Sequence, residues 1–199
     1  MPDGRFGCDD RPVLLALGSN LGPRLGNLRR GLAALLADGR VVLEKASSLY
    51  ASDPVEAEGG EFLNAVVRLR TSLAPLEVLS RTRFIEALAG RRGTGHDARP
   101  LDLDILYHGD VRCVGPILTL PHPRLRIRPF VRLPLWEVCG DLPDPETGGP
   151  IREWIEPFVP QDRQVLRRFR GPDWVLASVD SGMEYDCPDP LETGEDASR

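Results

Sequence analysis

The chain has 199 residues and a mass of 22.0 kDa, with 41% apolar and 28% charged residues, the composition of one soluble globular domain with a real core. Its apolar runs are far too short to span a bilayer, and the first twelve residues lack the apolar stretch of a secretory signal. The four cysteines (Cys8, Cys113, Cys139, Cys187) form no C-x-x-C, which excludes a zinc ribbon or a disulfide framework, so the cytoplasm is the expected location.

The net charge of −5 is unevenly placed. Residues 172–199 carry eight acids and one base, which leaves 22 acids and 24 bases in the first 171 residues. Those bases are almost all arginine, and Lys45 is the single lysine.

In chain order, residues 13–17 form an apolar run ended by Gly18-Ser19-Asn20, a buried strand entering a turn. Pro23 suits the first turn of a helix, Leu25, Leu28, Leu32, Leu35 and Leu36 recur at helical spacing, and Gly39 is a stop signal. A strand over 41–50, a loop over 53–60 and a strand over 62–69 follow, the last with Leu63, Ala65, Val67 and Leu69 on one face. Ser72 or Ala74 caps a second helix, whose apolar face reads as Leu76, Leu79, Phe84, Ile85 and Leu88. Residues 90–99 are a loop rich in glycine and charge, and 101–107 a strand.

A short helix over 131–138, with Pro134 inside it, and a helical turn or two over 151–158 come next. Residues 161–171 hold Arg163, Arg167, Arg168 and Arg170 and are expected as a short amphipathic helix docked on the body. These signals divide the chain into a flexible arm (1–12), one domain (13–157) and a C-terminal extension (158–199), acidic and mobile after about 172. The order strand, helix, strand, strand, helix, strand predicts an α+β, ferredoxin-like fold. A mostly antiparallel sheet would carry helices packed on one face.

The sharpest local signal is Leu101-Asp102-Leu103-Asp104-Ile105-Leu106. Side chains alternate along a strand, so Asp102 and Asp104 share the face opposite Leu101, Leu103 and Ile105. Carboxylates about 6–7 Å apart along a strand suit one or two hard cations, magnesium being the natural choice. An isolated D-x-D is equally well read as the polar face of a half-buried strand, and its neighbours decide the matter. Arg91, Arg92 and Arg99 lie upstream, and His122, Arg124, Arg126 and Arg128 downstream. Acids flanked by arginines describe a polyphosphate site, because the guanidinium fork matches phosphate oxygens. A Walker A loop and a protein kinase both need a lysine that Lys45, in Leu43-Glu44-Lys45-Ala46, does not supply. Gly18-Ser19-Asn20-Leu21-Gly22 is not a dinucleotide fingerprint, and no base-stacking motif points to nucleic acid.

Five blocks occur in order: 16–22 (Ala-Leu-Gly-Ser-Asn-Leu-Gly), 47–50 (Ser-Ser-Leu-Tyr), 62–67 (Phe-Leu-Asn-Ala-Val-Val), 99–106 (Arg-Pro-Leu-Asp-Leu-Asp-Ile-Leu) and 120–125 (Leu-Pro-His-Pro-Arg-Leu). Over about 13–157 the sequence resembles the 6-hydroxymethyl-7,8-dihydropterin pyrophosphokinases of folate biosynthesis. The resemblance implies transfer of pyrophosphate from ATP to the pterin hydroxymethyl group, releasing AMP. It places magnesium, two ions expected, on Asp102 and Asp104, with Arg91 and Arg99 as catalytic phosphate-binding arginines. ATP would be held by Glu86, Arg91, Arg99, His122 and Arg128. The pterin would be held by the backbone of Pro54 and Val55, the amide of Asn64 and the rings of Phe62 and Phe130.

The same resemblance implies the small-molecule partners ATP and the pterin; the missing stacking motif and the short apolar runs argue for no nucleic acid and no membrane, and a monomer is the expected state. One departure is in the loop before the acid pair. His96, Asp97, Ala98 and Arg99 stand where the family commonly has Trp-Gly-Pro-Arg, and the loop is about two residues shorter. That departure motivates an alternative, a catalytically impaired pterin- or nucleotide-binding homologue. A different D-x-D metal-dependent nucleotide transferase has only the acid pair in its favour.

Overall fold

The computed structural model describes residues 10–54, 60–91 and 97–176. Strand β1 (Arg11–Ser19) starts inside the expected arm and lies in the interior of the sheet. Val13, Leu15 and Leu17 enter one core, and Leu14 the other. A strand buried on both faces reads as a continuous apolar run, as 13–17 does. β4 (Phe62–Thr71) flanks β1 on one side and β5 (Asp102–His108) on the other, both antiparallel. The register sets Gly18 opposite Asn64 on β4 and opposite Asp102 on β5.

The expected strand over 41–50 is two strands, β2 (Val41–Ala46) and β3 (Leu49–Ser52), both paired with β4. The break falls at Ser47-Ser48, where a side chain competes with the ladder. Ser47 Oγ accepts the Val66 N–H at 2.9 Å and donates to the Ser48 carbonyl at 2.7 Å. With β6 (Arg167–Arg170) the strand order is β5-β1-β4-β3-β6, and every pairing between the strands is antiparallel.

Helices cover both faces of this sheet, not one. α1 (Arg24–Leu36) and α2 (Pro75–Leu88) pack over the first core, and α3 (Pro129–Cys139) over the second. The cause is again the two-sided apolarity of the strands: Leu14, Tyr50, Val66 and Leu106 face away from α1 and α2 and need their own cover. α1 approaches the segment before β5 closely at Gly31, where a Cβ would stand 2.5 Å from Leu101 Cδ2. That contact seats the residues leading from Arg99 to Asp102.

α2 buries only part of the expected face: Ile85 is buried and Leu79 packs against the core, but the rest is turned outward. Val78, Thr82, Ile85 and Glu86 point inward, while Leu76, Phe84 and Leu88 are 57%, 64% and 70% exposed. The helix is oriented by its contact with β5, where Glu86 Oε1 accepts the Leu103 N–H at 2.7 Å.

Past α4 (Ile151–Ile155) and a 3-10 turn (Glu156–Phe158), α5 (Val159–Val165) ends at Leu166, whose backbone is extended. Arg167, Arg168 and Arg170 therefore belong to an edge strand on β3 and not to an amphipathic helix. The folded body also passes the expected border at 172. Trp174 is completely buried, donates its indole N–H to the Ser47 carbonyl at 2.9 Å, and accepts Arg29 Nε on its own carbonyl at 2.7 Å. No helix among the described residues is long and apolar enough to cross a membrane.

Candidate active site

At the Gly18 end of the sheet a pocket of about 390 Å³ opens, a size suited to a small ligand. Phe62, Asn64, Arg99, Asp102, Asp104, Arg128 and Phe130 all line it, so β1, β4, β5 and the start of α3 converge there. Phe62 and Phe130 are half-buried, leaving ring surface free, and the Arg128 guanidinium lies over the Phe130 ring at 5.5 Å. The amide of Asn64 donates to Ser52 Oγ at 2.9 Å and to the Tyr50 carbonyl at 3.4 Å. Its Oδ1 is left toward Gly18, 3.6 Å from where a Cβ on that residue would stand. The pocket thus combines two aromatic rings with an oriented amide, the chemistry of a site for a polar heterocycle.

The charged end adjoins these groups. Asp102 receives Arg91 at 3.0 Å and Arg99 at 3.1 Å. Asp104 faces His122 Nε2 at 3.9 Å and Arg128 at 3.7 Å. Desolvation raises the Asp104 carboxyl above the ordinary carboxylate range, the Asp102 charge adds to the rise, and His122 and Arg128 oppose it. A cation would relieve that cost. Two same-face carboxylates with hard oxygen donors fit magnesium, which takes the rest of its shell from phosphates and water. Among the described residues no group of three or more His, Cys, Asp or Glu that could hold a metal converges.

Glu86 is buried and forms an ion pair with Arg91 at 2.6 Å. Burial pushes its carboxyl up to about 7, while the Leu103 N–H and Arg91 pull it down. The Arg124 N–H donates to His122 Nδ1 at 3.1 Å, which leaves Nε2 as the ring nitrogen carrying hydrogen and facing Asp104. Desolvation, the largest cause, lowers the His122 pKa and keeps the ring neutral.

The structure thus brings together Phe62, Asn64, Phe130, Arg99, Asp102, Asp104 and Arg128 in one pocket, with Arg91, Glu86 and His122 joined to its acid pair. Pro54 is half-buried beyond β3 and, among the described residues, its neighbour Asp53 is the one that lines the pocket. Val55, Arg92 and His96 lie outside the described residues. Sequence reasoning assigned no site role to Gly18, Asn20 or Ser52, and counted Arg124 only among the arginines flanking the acid pair. Asn20 Oδ1 holds the Arg99 N–H at 2.7 Å, Ser52 orients Asn64, and Gly18 and Arg124 line the pocket. Gly18 and Asn20 do fall inside the ordered blocks, the one signal that pointed toward them.

Residues 14–140 match the protein family described as 7,8-dihydro-6-hydroxymethylpterin-pyrophosphokinase (HPPK). The chain is 38% identical over 145 residues to 2-amino-4-hydroxy-6-hydroxymethyldihydropteridine pyrophosphokinase of Synechocystis sp., covering 72% of this chain and 74% of that protein. The protein of the same name from Bacillus subtilis is 42% identical over 130 residues, 64% of this chain and 78% of its own. A folate synthesis bifunctional protein of Pisum sativum is 39% identical over 140 residues, but the match spans only 27% of that longer chain. Among solved structures, Plasmodium falciparum HPPK-DHPS aligns with a TM-score of 0.62 at 15% identity, over 80% of this chain and 49% of that one. At that identity the likeness speaks for the fold alone.

Proposed function

The chain belongs to the 7,8-dihydro-6-hydroxymethylpterin-pyrophosphokinase family, and from that membership we propose that it transfers pyrophosphate from ATP to 6-hydroxymethyl-7,8-dihydropterin in folate biosynthesis. The hydroxymethyl oxygen attacks the β-phosphorus, a new O–Pβ bond forms, and the bridge between Pα and Pβ breaks. AMP leaves with that electron pair, and the hydroxyl proton passes to solvent. The observation that carries this reading is the aromatic slot opening directly onto Asp102, Asp104, Arg99 and Arg128.

Phe62 and Phe130 hold the ring between them, Asn64 and the backbone of Pro54 and Val55 read its edge, and the hydroxymethyl group is aimed at the charged end. Arg91, Arg99, His122 and Arg128 bind the triphosphate, and Glu86 fixes Arg91 through their 2.6 Å ion pair. Magnesium on Asp102 and Asp104 would supply charge neutralisation at the phosphate oxygens. No strong side-chain base is required, because phosphoryl-type transfer rests on positioning and electrostatic stabilisation. The reaction belongs to the cytoplasm, with small-molecule partners and a chain that acts as a monomer.

The test is AMP release on mixing the protein, MgATP and the pterin, beside Asp104→Ala. AMP formation is expected to require the pterin and to fall at least ~100-fold in the variant. Pterin binding without AMP would assign the chain instead as the catalytically impaired homologue.

A further inference from the structure

Strand β6 lies beyond residues 14–140, the stretch that matches the family, yet it reaches the pocket by two routes. The first is the sheet. Arg167 stands opposite Ala51 on β3, and Ser52, the next residue, lines the pocket and accepts the Asn64 amide at 2.9 Å. The second is a side chain. One nitrogen of the Arg167 guanidinium donates to both carboxylate oxygens of Glu61, at 2.9 and 3.1 Å. Glu61 directly precedes Phe62, which starts β4 and lines the pocket. Arg24, at the start of α1, holds the same residue, at 2.7 Å from the Glu61 carbonyl and 3.4 Å from its carboxylate.

These contacts favour one end of the pocket. Among the described residues, the ion-pair partners of Asp102 and Asp104 are Arg91, Arg99, His122 and Arg128, and none comes from β6. Both β6 routes lead instead to Phe62 and Asn64. The β3–β4 ladder ends at the Ser52–Phe62 pair, so Glu61 lies outside it and the two arginines fix the chain there. An aromatic wall serves a flat ligand only in a defined orientation, so what holds the backbone before Phe62 bears on ring binding. Resting on the pterin reading above, we propose that Arg167 is a positioning residue for the ring: it acts through Glu61 on Phe62 and sets the affinity for the pterin, not for the nucleotide. Residues 158–176 thereby support substrate binding although none of them lines the pocket.

The test is equilibrium binding of 6-hydroxymethyl-7,8-dihydropterin, with magnesium and a non-hydrolysable ATP analogue, and of that analogue alone. The proteins are the wild-type chain, Arg167→Ala, Glu61→Ala and the double variant. Arg167 is exposed and β6 pairs with β3 through its backbone, so the strand survives the substitution. An exposed ion pair adds little to global stability, and Tm is expected within about 2 °C of wild type. The pterin should bind Arg167→Ala about threefold more weakly, and Glu61→Ala at least as weakly, while the analogue alone stays within about 1.5-fold. In the Glu61→Ala background Arg167→Ala should add nothing, because the two act as one unit. Unchanged pterin affinity in Arg167→Ala would make the pair a solvated surface contact and overturn the inference. Equal weakening of pterin and analogue with a lowered Tm, a general structural role, would overturn it too. So would additive losses in the double variant, since Arg167 would then not act through Glu61. Wild-type protein that binds the analogue but no pterin would remove the pterin reading and the inference together, an outcome distinct from a null effect in the variants.

Discussion

Opposite Gly18 stand Asn64 on β4 and Asp102 on β5, so one glycine faces both the pocket amide and the first of the two acids. A Cβ at this position would lie 3.6 Å from Asn64 Oδ1 and 3.7 Å from both Asp102 Cβ and Phe62 Cδ1, ordinary contact distances that the backbone tolerates. The methyl would instead take up space in the pocket beside Phe62 and Asn64, where the proposed reading places the pterin. Gly18→Ala is therefore expected to keep the wild-type Tm within about 2 °C and to weaken pterin binding about tenfold, ~1.4 kcal/mol. Titration with the alcohol measures this, and an unchanged Kd would mean that the ring lies away from β1. The Asp pair was legible in the sequence because alternation along one strand is a local property. The weight carried by Gly18 was not, because it comes from cross-strand register, which needs all three strands in place.

α2 shows how an element's face can be misread when its apolar residues outnumber its buried positions. Counting leucines and aromatics predicts Leu76, Phe84 and Leu88 inward, yet the helix buries Thr82 and Glu86 with Val78 and Ile85. The buried carboxylate is tied to the Leu103 N–H and to Arg91, so the requirements of the site override the apolar count. Substitution distinguishes the two faces. Ile85→Ala is expected to cost about 2–4 kcal/mol through cavity formation, which lowers Tm by roughly 5–15 °C in a chain of this size. Phe84→Glu should leave Tm within about 2 °C, since its ring is already mostly in water. A large loss for Phe84→Glu in thermal denaturation would restore the face read from the sequence. The division of residues 41–50 into β2 and β3 was hidden for a related reason. Serine inside a strand-like run carries no apolar signal, and the hydrogen bonds of Ser47 that divide it come from Val66 and Ser48.

Over the whole molecule, the α+β class with a mostly antiparallel sheet followed from the alternation of strand and helix signals over 13–107, while the C-terminal closure did not. A tryptophan in a polar, acidic stretch gives no sign that it is buried until the pocket receiving it exists. That pocket is assembled from distant parts: the Ser47 carbonyl at the β2–β3 break accepts the indole N–H, and Arg29 on α1 binds the Trp174 carbonyl. β6, just ahead of it, completes the sheet on β3, the strand that supplies Ser52 to the ring slot. Residues 158–176 are thus part of the body, and their anchor should count in global stability. Trp174→Ala is expected to cost about 3–5 kcal/mol, or roughly 10 °C in Tm at the ~2–4 °C per kcal/mol of a chain this long. Trp174→Phe keeps most of the ring but strands the Ser47 carbonyl, at about 1–2 kcal/mol. Calorimetry and limited proteolysis together separate the possibilities. A lowered Tm with one cooperative transition places Trp174 in the common core. Unchanged Tm with new cleavage between α5 and Trp174 would instead mean that the extension opens locally, and β3 and the ring slot would then not depend on it.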